Sequence, residues 1–101
     1  MTKKEFYESL ELFFAEVLRT IRRKNEDYSA GDDPFRNFMY AEELGIATAE
    51  AALLIRLSDK LTRMANLLKN PAQVQDEKFE DTAMDATAYS AILAMVRKSR
   101  K

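Results

Sequence analysis

The residues best suited to chemistry are three acids that recur at every fourth position. Glu77, Asp81 and Asp85 are spaced one helical turn apart, so in a helix their carboxylates lie on the same side. That side continues upward with three apolar residues, namely Ala88, Ile92 and Met95. Because an unpaired carboxylate is costly to bury, we expect a cationic partner near these acids.

A second group of charges lies in the segment 53–63. Its four members share a face about 100° wide at helical periodicity: Arg56, Asp59, Lys60 and Arg63. The adjacent apolar stripe consists of Leu54, Leu57, Leu61, Met64 and Leu68. Glu50 falls on that apolar side, and Leu53 and Leu67 border the charges. Acids that point inward and a basic face together predict a site for a metal and a phosphate.

The composition indicates one helical domain spanning residues 1–101. Hydrophobic residues make up 47% and charged residues 33% of the chain, with only two glycines and two prolines. Few turn residues are typical of an all-α chain. The formal net charge of −1 argues against a broad adaptation to nucleic acid.

The chain contains no cysteine and no histidine. Thiolate and imidazole metal sites are therefore excluded, and so is acid–base chemistry by histidine. A metal would have to be held by oxygen atoms, which favours Mg²⁺ or Mn²⁺. The sequence shows no long apolar run and no signal peptide, so we expect no membrane partner and a cytoplasmic location.

Three sites carry the signals that start a helix. Thr2 and Glu5 form a capping box, Asp33-Pro34 is typical of an N-cap followed by proline in the first turn, and Thr48 can cap the long segment after it. Each signal precedes residues with a helical apolar pattern. Together with Asp76, which opens the last helix, these signals predict four helices.

The expected helices form an antiparallel bundle of three long helices and one short helix. The first covers residues 3–24, and the short second helix ends near Gly45. The third runs from Thr48 to about Lys69, and the fourth begins at Asp76. We expect the basic tail after the fourth helix to be a solvated, frayed end.

The fourth helix has a second face that is apolar or small, besides its acidic side. Its members are Phe79, Ala83, Ala86, Ser90 and Leu93. Two buried faces in so small a protein favour a homo-oligomer, either a dimer or a tetramer. The alternative is that this face packs within a single chain.

Each candidate also has an ordinary structural interpretation. Acids in a first helical turn complement the macrodipole, although Asp81 and Asp85 lie farther along the helix. The charged face of the third helix is also typical of weak intrahelical ion pairs on a solvated surface. Tyr28 and Asn37 are equally suited to contacting a base and to anchoring the core or the backbone.

Four blocks of residues, taken in order, resemble a known family. They are Lys24-x-x-Asp27-Tyr28, Asp33-Pro34-Phe35-x-Asn37-Phe38, Arg56-x-x-Asp59-Lys60-x-x-Arg63-x-x-Asn66-Leu67-Leu68 and Glu77-x-x-x-Asp81-Thr82-x-x-Asp85-x-x-x-Tyr89. The chain is similar to the small nucleotide modification associated domain 1 proteins of phages and bacteria. That group resembles in turn the all-α nucleoside triphosphate pyrophosphohydrolases, the MazG and dimeric dUTPase superfamily.

The resemblance implies an oligomeric helical bundle that acts on nucleotides with Mg²⁺ in the cytosol of a bacterium or a phage-infected host. It implies catalytic roles for Asp81, Asp85 and Lys60. The implied metal ligands are Asp81, Asp85, Glu77, Glu50 and Asp59. The implied phosphate contacts are Arg56, Lys60 and Arg63, and the implied base or sugar contacts are Tyr28 and Asn37.

One departure separates the chain from the superfamily pattern, in which Glu-x-x-Glu is followed by Glu-x-x-Asp. Here the third helix has Glu50-x-x-Leu53, and the acids of the fourth helix are four residues apart. Three hypotheses follow. The chain is a Mg²⁺-dependent pyrophosphohydrolase that yields a nucleoside monophosphate and pyrophosphate, a nucleotide-binding protein without turnover, or a helical interaction module.

Overall fold

Every regular element in the described part of the chain is a helix, which confirms the predicted all-α class. The computed structural model describes residues 1–28, 31–70 and 78–100, and it contains no strand in those segments. The helices are α1 (Lys3–Tyr28), a 3₁₀-helix (Arg36–Phe38), α2 (Tyr40–Glu43), α3 (Ala49–Lys69) and α4 (Phe79–Ser99). Within those segments, no helix combines the length and the apolarity that crossing a bilayer requires.

Two of the predicted helix starts form as expected. The backbone N–H of Glu5 donates to the Thr2 hydroxyl over 3.1 Å, and the N–H of Ala51 donates to the Thr48 hydroxyl over 3.1 Å. These bonds satisfy backbone donors that have no partner inside the helix. The predicted end of α1 was too early, because the helix continues to Tyr28. The polar residues after Lys24 include no glycine or proline to stop it.

The predicted second helix is divided into two short pieces, the 3₁₀-helix and α2. The Asp33 carboxylate accepts a bond from the backbone N–H of Phe35 over 2.9 Å and closes a turn at Pro34. After α2 the chain turns at Gly45, whose φ is +72°. This left-handed conformation costs a glycine little, and it ends the segment as the sequence predicted.

The described core lies mainly between α3 and α4, with α1 packed on α4. Its centre is formed by Ala49, Leu53 and Val96, each at most 1% exposed. Side chains from the 3₁₀-helix region and from α4 surround this centre, namely Phe35, Phe38, Met39, Tyr89, Ile92 and Leu93. The α3–α4 pair is therefore the unit that fixes the position of the other described helices.

The face of α3 that enters the core differs from the predicted apolar stripe. Leu53 and Leu67, which border the charges, are buried, and Leu57 and Met64 are half-buried. The remaining stripe residues are exposed, namely Leu54, Leu61 and Leu68. The buried face is rotated toward the charged residues, so Lys60 lies beside α4, where it pairs with Asp85.

The N-terminal half of α1 also leaves apolar side chains in contact with solvent. Val17 is buried and Leu10 and Phe13 are half-buried, which agrees with the predicted apolar face of this helix. Its exposed apolar residues are Phe6, Tyr7, Phe14 and Leu18. One face of α1 is thus only partly covered by the described residues.

We expect Leu53→Ala to destabilise the protein strongly, because it leaves a cavity between α3 and α4. Removing a buried leucine side chain costs about 2–5 kcal/mol in the free energy of unfolding. The matched control is Leu12→Ala, because Leu12 on α1 is 74% exposed, and it should cost no more than about 0.5 kcal/mol. Urea unfolding followed by circular dichroism measures both. Equal losses for the two variants would contradict the described core.

Candidate functional site

A cleft of about 340 Å³ lies between α1, the 3₁₀-helix, α3 and α4. Its volume lies within the range of small-molecule sites, about 300–1,000 Å³. Its polar lining consists of Glu16, Thr20, Lys24, Asn25, Asn37, Arg56, Asp81 and Asp85. Its apolar lining consists of Val17, Ile21, Phe38, Met84, Ala88, Tyr89 and Ile92. The cleft therefore combines charges of both signs with an aromatic and aliphatic wall.

The α4 acids lie in this cleft, on the side that the four-residue spacing predicted. Asp81 and Asp85 both contribute to the lining. The Asp85 Oδ2 atom is 2.9 Å from Lys60 Nζ on α3, with the two side chains 33% and 25% exposed. The expected cationic partner of these acids is therefore present at Asp85. This ion pair joins the two helices at the edge of the cleft.

Arg56 enters the same cleft from α3. Its guanidinium carbon lies 5.9 Å from the centroid of the Phe38 ring, which is within the range of a cation–π contact. Both side chains line the cleft. The aromatic face restricts where the guanidinium group can lie, so Arg56 presents a planar set of donors to any bound anion.

Two further lining residues come from the C-terminal part of α1. Lys24 lines the cleft, and the Asn25 amide donates to the Pro34 carbonyl over 2.7 Å. That bond ties the loop before the 3₁₀-helix to α1. A signal was available in the sequence, because Val17, Ile21 and Lys24 are spaced by one helical turn along the buried face.

The other predicted site residues are distributed differently. Asn37 lines the cleft from the 3₁₀-helix. Asp59 and Arg63 are exposed on α3 and are not part of the described cleft lining. Tyr28 is the last residue of α1, but its side chain and the whole of Glu77 lie outside the described residues.

The described acids supply only some of the oxygen ligands that a Mg²⁺ ion needs. Asp81 and Asp85 are near the same cleft, and the third lining acid, Glu16, is engaged by Arg19 through bonds of 2.7–3.0 Å. Among residues 1–28, 31–70 and 78–100, no group of three acids is placed to hold a metal. Mg²⁺ usually takes one or two carboxylates and completes its shell with water and substrate phosphates. Asp81 and Asp85 are the two acids of the described cleft lining that remain as candidate ligands for such an ion.

Glu50 lies in a different ion-pair cluster, which joins the start of α3 to the end of α4. Its Oε2 atom accepts from Arg100 over 2.9 Å and from Arg97 over 3.4 Å. Arg100 also pairs with Glu42, whose carboxylate accepts from the backbone N–H of Ala49. The expectation of a frayed, solvated tail is wrong for Arg100, whose side chain is 33% exposed and pairs with two carboxylates, whereas the Arg97 side chain remains 71% exposed. Two guanidinium groups at Glu50 also disfavour a divalent cation there.

The same cluster changes the titration of Glu50. The bond from its own backbone N–H lowers the pKa of the carboxyl group most. Burial opposes this shift, and bonds from Arg100 and Arg97 add to it, so the pKa lies below the ordinary value of 4.5. Its other oxygen, Oε1, is buried and has no hydrogen-bond partner within the described part of the chain. Glu50 therefore stabilises the charged helix junction and does not line the cleft.

Comparison with known proteins adds no assignment: no family model, curated protein or solved structure matches this chain. The function is therefore inferred from the residues that line the cleft and from the four sequence blocks that resemble the nucleotide modification proteins.

We expect the contribution of Glu50 to stability to depend on pH. Because the folded-state pKa is lowered, the stabilisation is present above about 4.5 and is lost as the pH falls through the folded-state value. Glu50→Gln should therefore lower the thermal midpoint at pH 7, and this difference should shrink toward pH 3. Thermal unfolding at several pH values measures the effect.

The control for this experiment is Glu8→Gln. Glu8 is exposed and lies 3.9 Å from Lys4, so its replacement should change stability little at any of these pH values. A difference between wild type and Glu50→Gln that grows as the pH falls would contradict the sign of the shift.

Proposed function

We propose that this protein is a Mg²⁺-dependent nucleotide pyrophosphohydrolase that converts a nucleoside triphosphate, canonical or modified, into a monophosphate and pyrophosphate. One observation carries the proposal. The carboxylates of Asp81 and Asp85 share a single cleft with the cations of Lys24 and Arg56, beside an apolar and aromatic wall. The resemblance to nucleotide modification proteins and the MazG superfamily supports the same chemistry.

The phosphate groups would bind between α1 and α3. Lys24 and Arg56 reach the cleft from these two helices, and charge-assisted bonds to phosphate oxygens are among the strongest that side chains make. Arg56 suits a phosphate because its planar donors match two oxygens at once. Arg63 lies outside the described lining, so its contact would require phosphates that extend beyond the cleft.

The base and sugar would occupy the apolar part of the cleft. Phe38 and Tyr89 offer aromatic surface for a base, while Val17 and Ile92 extend the apolar wall. We propose that the Asn37 amide, which lines the cleft, reads the edge of the base, with Tyr28 as the second proposed contact. The volume of about 340 Å³ suits one nucleotide.

The residues that would hold Mg²⁺ or Mn²⁺ are Asp81 and Asp85, with Glu77 and Asp59 as further candidates from the resemblance. When bound, the ion supplies charge neutralisation on the phosphate oxygens. Lys60 holds Asp85 by its ion pair of 2.9 Å and so keeps that carboxylate beside the phosphates. Asp81 is the more exposed of the two acids, and water can reach it.

The proposed reaction uses Asp81 as the base. The oxygen of a water molecule bonds to the α-phosphorus while Asp81 accepts its proton. The bond from that phosphorus to the α,β-bridging oxygen breaks, and pyrophosphate leaves with the electron pair. Lys24 and Arg56 stabilise the charge that develops on the phosphates, and the Phe38 ring helps to position Arg56 beforehand.

A second candidate function is nucleotide binding without turnover. It is favoured by the ion pair between Lys60 and Asp85, which occupies one carboxylate. It is also favoured by the lack of a third metal-binding acid within the described segments. This function needs the same cations and the same apolar wall.

We also propose that the chain forms an antiparallel bundle and assembles as a homo-oligomer. α3 and α4 pack along each other and are joined by residues 70–78, a connection of the length that links antiparallel neighbours. The described residues bury few large side chains, whereas many apolar ones on α1 and α3 are exposed. A second chain would cover part of this surface.

We expect turnover to require Asp81. Purified protein is incubated with canonical and modified nucleotides plus Mg²⁺ or Mn²⁺, and the phosphorus products are followed by nuclear magnetic resonance. Asp81→Asn should reduce the rate by about 100-fold or more, because it removes a positioned base. Glu80→Gln is the control, because this neighbouring acid is exposed and does not line the cleft.

The three hypotheses are separated when the thermal midpoint of the protein is measured with the same nucleotides, alongside the phosphorus products. Pyrophosphate release that depends on metal and on Asp81 supports hydrolysis. Nucleotides that raise the thermal midpoint but remain intact support binding without turnover. No thermal shift with any nucleotide, with or without Mg²⁺, leaves only the helical interaction module.

We expect Lys24→Ala to weaken nucleotide binding while Arg23→Ala does not. The two residues are adjacent in α1, but only Lys24 lines the cleft. A hydrogen bond to a charged group contributes about 1.5–3 kcal/mol, which corresponds to roughly tenfold or more in affinity. Calorimetry near 0.15 M salt reduces the long-range effect of charge alone. Equal losses in both variants would show that binding does not occur in this cleft.

A further inference from the structure

The helix α3 carries a third face, which neither the core nor the cleft uses. Leucines recur on it at every seventh residue, and alanine or serine recurs at every seventh residue between them. We call this face the α3 seam: Ala51, Leu54, Ser58, Leu61, Ala65 and Leu68. Its leucines are 52%, 53% and 74% exposed. Three large apolar side chains on one helix face are thus left uncovered by the described chain.

None of the six positions of the α3 seam carries a charged side chain. Charged residues make up 33% of the sequence, yet Ile55 and Thr62, on one flank of the seam, are also uncharged. Of the six charged residues within α3, four lie on the opposite side of the helix, namely Arg56, Asp59, Lys60 and Arg63, whereas Glu50 and Lys69 lie beside the two ends of the seam. A solvated helix face of a charge-rich protein normally collects the charges. This distribution indicates that the seam is not a solvated face.

The spacing of the α3 seam is that of helix-to-helix packing. Residues at alternating intervals of three and four positions form the heptad seam along which two helices interlock. Leucines at one heptad position and small residues at the other make ridges beside grooves on the same surface. Such a surface is complementary to itself, because the leucines of one copy fit beside the alanines and serine of another.

The exposed area and the radius of gyration of the chain are larger than those of a compact monomer of its size. A folded monomer of this mass exposes about 5,800 Å², whereas this chain exposes 7,720 Å². Its radius of gyration is 15.6 Å, against about 13 Å for a compact domain of similar length. The excess of roughly 1,900 Å² is more than the ~800 Å² that each partner contributes to a standard interface.

We propose that the α3 seam is the interface with a second copy of this chain, in which α3 packs on α3 about a two-fold axis. The contact is the same on both partners, as a two-fold interface requires. It brings no like charges together, since the seam has none. Arg56 lies on the opposite side of α3 from the seam, so the dimer leaves the cleft accessible. The inference deepens the proposed assembly and does not depend on the cleft chemistry.

Leu61→Glu tests the interface in the full-length protein. The mass in solution is measured by light scattering and sedimentation at about 1–100 μM, where a standard interface is occupied. The wild type should have twice the chain mass of 11.6 kDa, and Leu61→Glu should have the mass of one chain. Leu12→Glu on α1 is the matched control, because Leu12 is 74% exposed and lies outside the seam. It should remain dimeric.

A cysteine placed in the seam gives a second measurement that keeps all the leucines. The natural chain has no cysteine, and Ser58 lies near the midpoint of the seam, where the two-fold axis brings it close to its copy. Ser58→Cys should form an intermolecular disulfide under mild oxidation, since this requires Cα atoms within about 7 Å. Ser9→Cys, exposed on α1, should not.

The proposal is overturned if the wild type is a monomer throughout this concentration range. It is also overturned if an oligomer persists in Leu61→Glu and Ser58→Cys does not cross-link. If Leu61→Glu loses its helical circular dichroism signal, the cross-linking of Ser58→Cys alone decides. Nucleotide binding and turnover enter neither readout, so failure of the interface and failure of the cleft chemistry are separate results.

Discussion

The packing of α3 against α4 determines where the described charges lie. Leu53 and Val96 fill the centre of this contact, and Lys60 bonds to Asp85 at its edge, 2.9 Å apart. Because a buried apolar contact and an ion pair join the same two helices, their relative rotation is restricted. That restriction brings the α4 acids and the α3 cations to one cleft. If either helix were rotated about its own axis so that a different face met the other helix, these groups would move apart.

This packing also divides α3 into three faces with different surroundings. One face, with Leu53 and Leu67, is buried against the rest of the chain. A second face carries Arg56 toward the cleft and Lys60 toward Asp85. The third is the uncharged α3 seam. Much of α3 is exposed in the described chain, and the proposed second copy would cover the seam.

The two ends of the α3–α4 pair serve different purposes. Near the start of α3, Glu50 and Glu42 meet Arg100, and the lowered pKa of Glu50 makes this junction sensitive to acid. Farther along, two acids of the cleft lining are ion-paired, Asp85 with Lys60 and Glu16 with Arg19. Pairs of this kind hold side chains in the fold, and Lys24, Arg56 and Asp81 line the cleft beside them.

The sequence by itself determined the helical class, the caps at Thr2 and Thr48, the turn at Gly45 and the common side of Asp81 and Asp85. These features depend on residue spacing and on local backbone chemistry, and both can be read directly from the sequence. Only the tertiary structure decided which face of each helix is covered. It placed Lys24 in the cleft and Glu50 outside it, and it left Leu61 exposed, because those outcomes depend on how α1, α3 and α4 rotate against one another. That rotation is set by side chains distant in sequence, which periodicity alone does not report.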